Sequence, residues 1–191
     1  MTPAAAAELR RAGGMTREQA ARVEVRALVR QSPKLVAQER LILSSIRTHD
    51  QEAAVERQAV GLAVAARREG HAEGRYSDPT AIAAEHMERW HRGRVKALQT
   101  KLGRIAQQRG LLARLIDGLD DDEHTVSDYR AVGKSWAQIG LLMHYSYRHT
   151  QRIYRRAVDH MAVAYLAEID DRRARANKAA AAAASTSADA G

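Results

Sequence analysis

The chain contains no cysteine and no phenylalanine. Without cysteine there are no disulfides and no thiolate metal ligands, a composition compatible with a reducing cytoplasm. Only three prolines punctuate 191 residues. No stretch alternates β-branched and polar residues, so a β-rich fold is excluded and long helices are expected. No apolar run approaches the roughly 20 residues that a bilayer-spanning helix needs, and no membrane partner is expected. The opening MTPAAAAELRR has neither the leading positive charge nor the apolar core of a secretion signal. Phosphate-cradling glycine loops, nucleophile elbows and paired zinc-binding histidines are missing as well, so no enzymatic activity and no cofactor are predicted.

What the chain does have is basic charge. Thirty-one Lys and Arg against 23 Asp and Glu give a net charge of +8, which suits a polyanionic partner whose counterions would be released on binding. The bias toward Ala, Arg, Glu, Gln and Leu predicts an all-α protein, with a coiled-coil-like N-terminal part and a small C-terminal helical domain.

Residues 1–14 end in Gly13-Gly14 and read as a flexible N-terminus. Residues 15–119 read as a helical region. Thr16 and Gln19 form a capping box opening a helix to about Gln31, and Ser32-Pro33 is expected to stop it and start another. That second helix is predicted to run to about Glu69, with Thr48-His49-Asp50 as a possible interruption and Glu52 and Glu56 on a solvated face. GHAEGRYSD, residues 70–78, is a loop signal, and Pro79 opens the next helix. Along it Val95, Leu98, Leu102, Ile105, Leu112, Ile116 and Leu119 are spaced 3, 4, 3, 7, 4 and 3, and His91 extends the seam backwards. Such a seam is either ordinary core or a homodimer contact through residues 95–119. Trp90 reads as a packing residue. Gly118 is a candidate C-cap. The acidic run Asp120 to Glu123 beside His124 lacks the spacing of a calcium loop, so no metal is expected there. An aspartate in the run caps a helix from about Glu123 to Val132.

Gly133 to Leu166 reads as two helices joined by a tight turn, within a unit covering residues 120–169. Ser135 and Gln138 make a capping box, Met143-His144-Tyr145 form the turn, and Ser146 caps the second helix. On that helix Thr150, Ile153, Tyr154, Ala157 and Met161 share one side, and Arg148, Arg152 and Arg155 lie roughly opposite. A helix with an apolar back and an arginine front fits the major groove of double-stranded DNA. Arg148, Gln151 and Arg152 are the candidate base or phosphate contacts, with Ser146, Tyr147, His149 and Arg155 flanking them. Asp159 lies on the same side and would repel phosphate, which ends the groove-facing part. Residues 170–191 read as a basic, Ala/Ser-rich tail.

Gly133-Lys134-Ser135-Trp136-Ala137-Gln138-Ile139, Tyr145-Ser146, Arg152-Ile153-Tyr154 and Ala157 resemble the helix-turn-helix of sigma factor region four. The form is similar to that of phage late-gene transcription activators of the RinA and ArpU kind, over about a quarter of the chain. The resemblance implies a phage or prophage transcription regulator that acts with RNA polymerase in the cytoplasm of a bacterial host. Two positions depart from the pattern: Gly140 stands where alanine is usual, and Thr150 where valine is common. Two other readings stay open, a small terminase subunit binding phage DNA for packaging and a helical scaffold that does not bind DNA.

Overall fold

The computed structural model describes residues 15–68 and 79–188, with side chains over 15–60 and 85–182. The expected flexible N-terminus and the 70–78 loop lie outside the described residues. Five helices and no strand are found among those described: α1 (Arg17–Arg68), α2 (Pro79–Asp117), α3 (Asp121–Ala131), α4 (Trp136–Leu142) and α5 (Tyr147–Ala188). The protein is all-α.

Two compact units account for the chain. One comprises Met1–Pro33 with Gln108–Gly191, the other Lys34–Gln107. This division differs from the one expected near residue 120, because the start of α1 and the end of α2 belong with the helix-turn-helix. Their apolar residues explain why. Val25 and Val29 of α1 join Leu112, Leu115 and Ile116 of α2 in one core with Val126, Ile139, Ile153, Ala157, Val158 and Met161. Leu112, Leu115 and Ile116 are therefore core within a single chain, the first of the two readings of the seam, for its C-terminal part. Val95, Leu98 and Leu102 are only half-buried.

Ser32-Pro33 does not break the first helix: α1 passes through Pro33 without interruption, and through Thr48-His49-Asp50 as well. A proline inside a helix costs about 3 kcal/mol. Val25, Val29 and Ser32, at i, i+4 and i+7, are all buried, so an interrupted helix would lose this common buried face. The Pro33 ring also packs on Gly133, lying 3.2 Å from where a Cβ there would stand.

Gly118 is not the left-handed cap expected for α2. That helix ends with Leu119 N–H donating to the Ile116 carbonyl at 3.0 Å. The glycine that does this work is Gly133, with φ +95°. Lys134 N–H donates to the Tyr129 carbonyl and Gly133 N–H to the Arg130 carbonyl, both at 3.0 Å, the paired bonds of a Schellman ending. Asp120 stands at the N-cap of α3, but its side chain makes no capping bond.

Residues 170–188, read as a tail, continue α5 in the structure. Alanine has the highest helix propensity of any residue, and Arg172 to Glu168 (2.9 Å) and Arg175 to Asp171 (3.9 Å) are i, i+4 ion pairs. Local preference sustains the helix there.

Candidate nucleic-acid interface

The first motif helix, α4, opens on the capping box the sequence announces. Gln138 N–H donates to Ser135 Oγ at 3.3 Å, and Ser135 N–H donates to Gln138 Oε1 at 2.9 Å. Arg130 sets the angle of entry: its guanidinium lies 4.3 Å from the Trp136 ring centroid and also donates to the Lys134 carbonyl. Trp136 packs edge-on against Tyr154 at 5.0 Å, the packing role expected for it. The Tyr154 phenol is buried, and that burial pushes its pKa up, opposed by the charges of Arg130, Arg26 and Arg30.

The turn depends on two backbone features. His144 takes a left-handed conformation, φ +55°, and Tyr145 N–H folds back to donate to the Gly140 carbonyl at 2.9 Å. A Cβ on Gly140 would lie 2.8 Å from the Tyr145 carbonyl oxygen. Gly140 is thus required for the close approach of α4 to the turn, beyond merely standing in for alanine. Gly140→Ala gains about 1 kcal/mol of helix propensity but must displace backbone, an overpacking cost of roughly 1–3 kcal/mol. The expected net result is a loss of up to about 2 kcal/mol in chemical denaturation, with the turn disturbed. A gain in stability would contradict this geometry.

The other departure is also accommodated. Thr150 is fully buried, and its hydroxyl donates to the Ser146 carbonyl at 3.1 Å. The core position therefore carries a satisfied polar group.

Two acids anchor the module. Glu123, in the first turn of α3, is 2% exposed. Its carboxylate lies 2.7 Å from His160 Nδ1 and 3.6 Å from Arg156 Nε, both on α5. Asp122 accepts the Tyr145 hydroxyl at 3.2 Å, a bond that raises the pKa of that phenol, with the Asp122 charge adding to it. Tyr145, in the turn, is thereby held by a carboxylate. Nothing in the periodicity announces the Glu123 cluster, because it joins an acidic run to a helix 37 residues later.

Each site residue predicted from sequence falls at the start of α5. Ser146 is exposed and serves as the cap, its Oγ accepting from His149 N–H at 3.2 Å. Tyr147 is exposed beside an apolar groove lined by Trp136, Leu141 and His144. His149 is half-buried, its ring 4.7 Å from Tyr145. Its Nδ1 lies 2.9 Å from Arg152 Nη2, which holds that guanidinium over the first turn. Gln151 is half-buried at the edge of the face. Arg148, Arg152 and Arg155 are exposed at i, i+4 and i+7, and none of them has a carboxylate partner among the described residues. Arg156, one position on, is paired with Glu123 instead.

Asp159, whose charge would oppose phosphate, is paired with Arg22 of α1 at 2.7 Å. This contact, invisible to sequence periodicity, neutralises the acid. It also brings α1 alongside α5 at the level where the open arginine face ends.

Compared with protein-family models, with curated proteins and with solved structures, the chain matches none of them.

Proposed function

We propose that the protein is a DNA-binding transcription regulator that places the first turns of α5 in the major groove. The observation that carries this reading is the division of α5. Thr150, Ile153, Tyr154, Ala157, Val158 and Met161 are buried on one side, while Arg148, Arg152 and Arg155 are exposed on the other, with no carboxylate partner among the described residues. The helix rests on a capped partner, α4, in the manner of a helix-turn-helix, whose second helix presents its N-terminal residues to base edges. Guanidinium groups there pair with guanine in two-pronged fashion or neutralise phosphate. Ser146 and Tyr147, at the end of the helix that carries partial positive charge, would meet the backbone.

The resemblance to phage late-gene activators supplies the finer reading: a phage or prophage regulator, working with RNA polymerase in the cytoplasm of a bacterial host. A single module buries only about 600–1,000 Å² on DNA, so a second copy pairing through Val95, Leu98 and Leu102 would add a second half-site.

Fluorescence anisotropy with duplex fragments across a salt series tests the proposal. Arg152→Ala should weaken binding by about 1–3 kcal/mol and, where Arg152 meets phosphate, flatten the slope of log affinity against log salt by about one. Affinity unchanged by Arg148→Ala and Arg152→Ala together would leave the arginine face as plain solvated surface and the protein as a scaffold. A ring assembly in solution would favour the terminase reading.

A further inference from the structure

In the unit formed by residues 34–107, two histidines and two glutamates converge from α1 and α2. His49, Glu52 and Glu56 lie on one face of α1, at i, i+3 and i+7, and His91 comes from α2. His49, Glu52 and His91 each offer one ligand atom, and the three atoms lie within 4.8 Å of one another. His49 Nδ1 is 3.1 Å from Glu52 Oε2, and His91 Nε2 is 2.9 Å from Glu56 Oε2. Trp90 covers the cluster, its ring 4.9 Å from that of His91 and 6.0 Å from that of His49.

Two exposed histidine–carboxylate pairs would be ordinary surface chemistry. His91 is different. Its side chain is 6% exposed, and its Nδ1 is buried without a hydrogen-bond partner among the described residues. An ionised carboxylate only accepts, so Nε2 carries the proton given to Glu56. In the neutral ring Nδ1 then holds an unused lone pair. A buried polar atom left in this state is costly. A histidine whose far nitrogen is tied to a carboxylate has the tautomer and fixed orientation of a metal ligand.

We propose that His49, Glu52 and His91 bind a divalent first-row transition cation, with Nδ1 of His91 as its ligating atom and Glu56 as the outer carboxylate that orients the ring. Two imidazoles and a carboxylate are a donor set of zinc sites. The absence of thiolate disfavours soft ions, and imidazole disfavours magnesium and calcium. With bonds of about 2.0–2.1 Å, tetrahedral ligand atoms stand roughly 3.4 Å apart. The His49–Glu52 spacing of 3.1 Å already approximates this, and a separation of up to 4.8 Å among the three closes by about 1.4 Å of side-chain movement. Glu52 is 51% exposed, so water can supply the remaining position. Such an ion would clamp α1 to α2 across this unit, a role separate from the arginine face of the other unit.

Calorimetric titration of the untagged full-length chain with Zn²⁺ is expected to give one equivalent bound, with millimolar Mg²⁺ failing to compete. Co²⁺ should bind in its place and quench Trp90 emission in a Trp136→Phe background. Glu56→Gln should weaken Zn²⁺ binding by about 10–100-fold, and His49→Gln or Glu52→Gln by at least that factor. His124→Gln, in the other unit, should leave it unchanged. His49 and Glu52 are less buried than His91, so these variants keep the fold where His91→Ala could lose it, and far-ultraviolet circular dichroism checks this. Absence of a one-equivalent site in the wild-type chain, or affinity equal to wild type in folded His49→Gln and Glu52→Gln, would overturn the proposal.

Discussion

Ile153→Ala is expected to destabilise the helix-turn-helix unit by about 2–5 kcal/mol, the cost of a large-to-small change where the surroundings cannot close in. Ile153 is 1% exposed and sits in a core with Ile139, Val126, Val158 and Met161. Its neighbour Arg152 is exposed, and surface truncations of that kind usually move stability by no more than about 0.5 kcal/mol. The two adjacent substitutions therefore separate packing from binding. Arg152→Ala should leave the denaturation midpoint nearly unchanged while weakening DNA binding. Ile153→Ala should lower the midpoint strongly and weaken binding only as far as the module unfolds. Guanidinium titration of both variants, followed by Trp136 fluorescence in a Trp90→Phe background, checks this. Equal and small shifts in the two would mean that the back of α5 is not the packed side.

The second large effect is expected at the Glu123 cluster. Removing both of its basic partners, with Arg156→Ala and His160→Ala together, strands a carboxylate whose side chain is 3% exposed. Breaking a buried pair by deleting one side costs about 3–5 kcal/mol, because the remaining charge is left desolvated. Arg156 and His160 are themselves 63% and 59% exposed, and water reaching in from their side places the expected loss near the lower end, about 3 kcal/mol. Adding Glu123→Gln to the double variant removes the stranded charge and should recover a large part of that loss. Without recovery, the cost would lie in the trimmed side chains' own packing. A thermodynamic cycle over the three positions separates the two.

Local chemistry wrote some of this fold plainly. Ser135 with Gln138, and Ser146 before Tyr147, are capping signals that act within one turn, and the structure places helix starts beside both. The buried stripe of α5 likewise follows from a 3.6-residue period. The features not legible were those decided by distant neighbours. Pro33 reads as a stop because its intrinsic cost is high, and only the burial of Val25 and Val29 reveals why α1 continues. Gly140 reads as a weak substitute for alanine until the Tyr145 carbonyl is found 2.8 Å from its missing Cβ. Glu52 and Glu56 read as solvated charge, and His49 as part of a possible break, because their companion, His91, arrives from another helix. Heptad spacing along α2 gives the period of the seam correctly but not its partner, which for Leu112, Leu115 and Ile116 is the same chain.

The length of α5 has a thermodynamic consequence. Its 42 residues would stretch about 63 Å at 1.5 Å per residue, yet every side chain from Asp171 to Ala182 is exposed. With its side chains in solvent over Asp171 to Ala182, that portion buries little to make its melting all-or-none, so it frays progressively on warming, while the buried proximal turns melt with the core. Backbone ellipticity therefore sums a gradual and a sharp transition, and a van't Hoff enthalpy drawn from it falls below the calorimetric one even when the globular part unfolds in a single step.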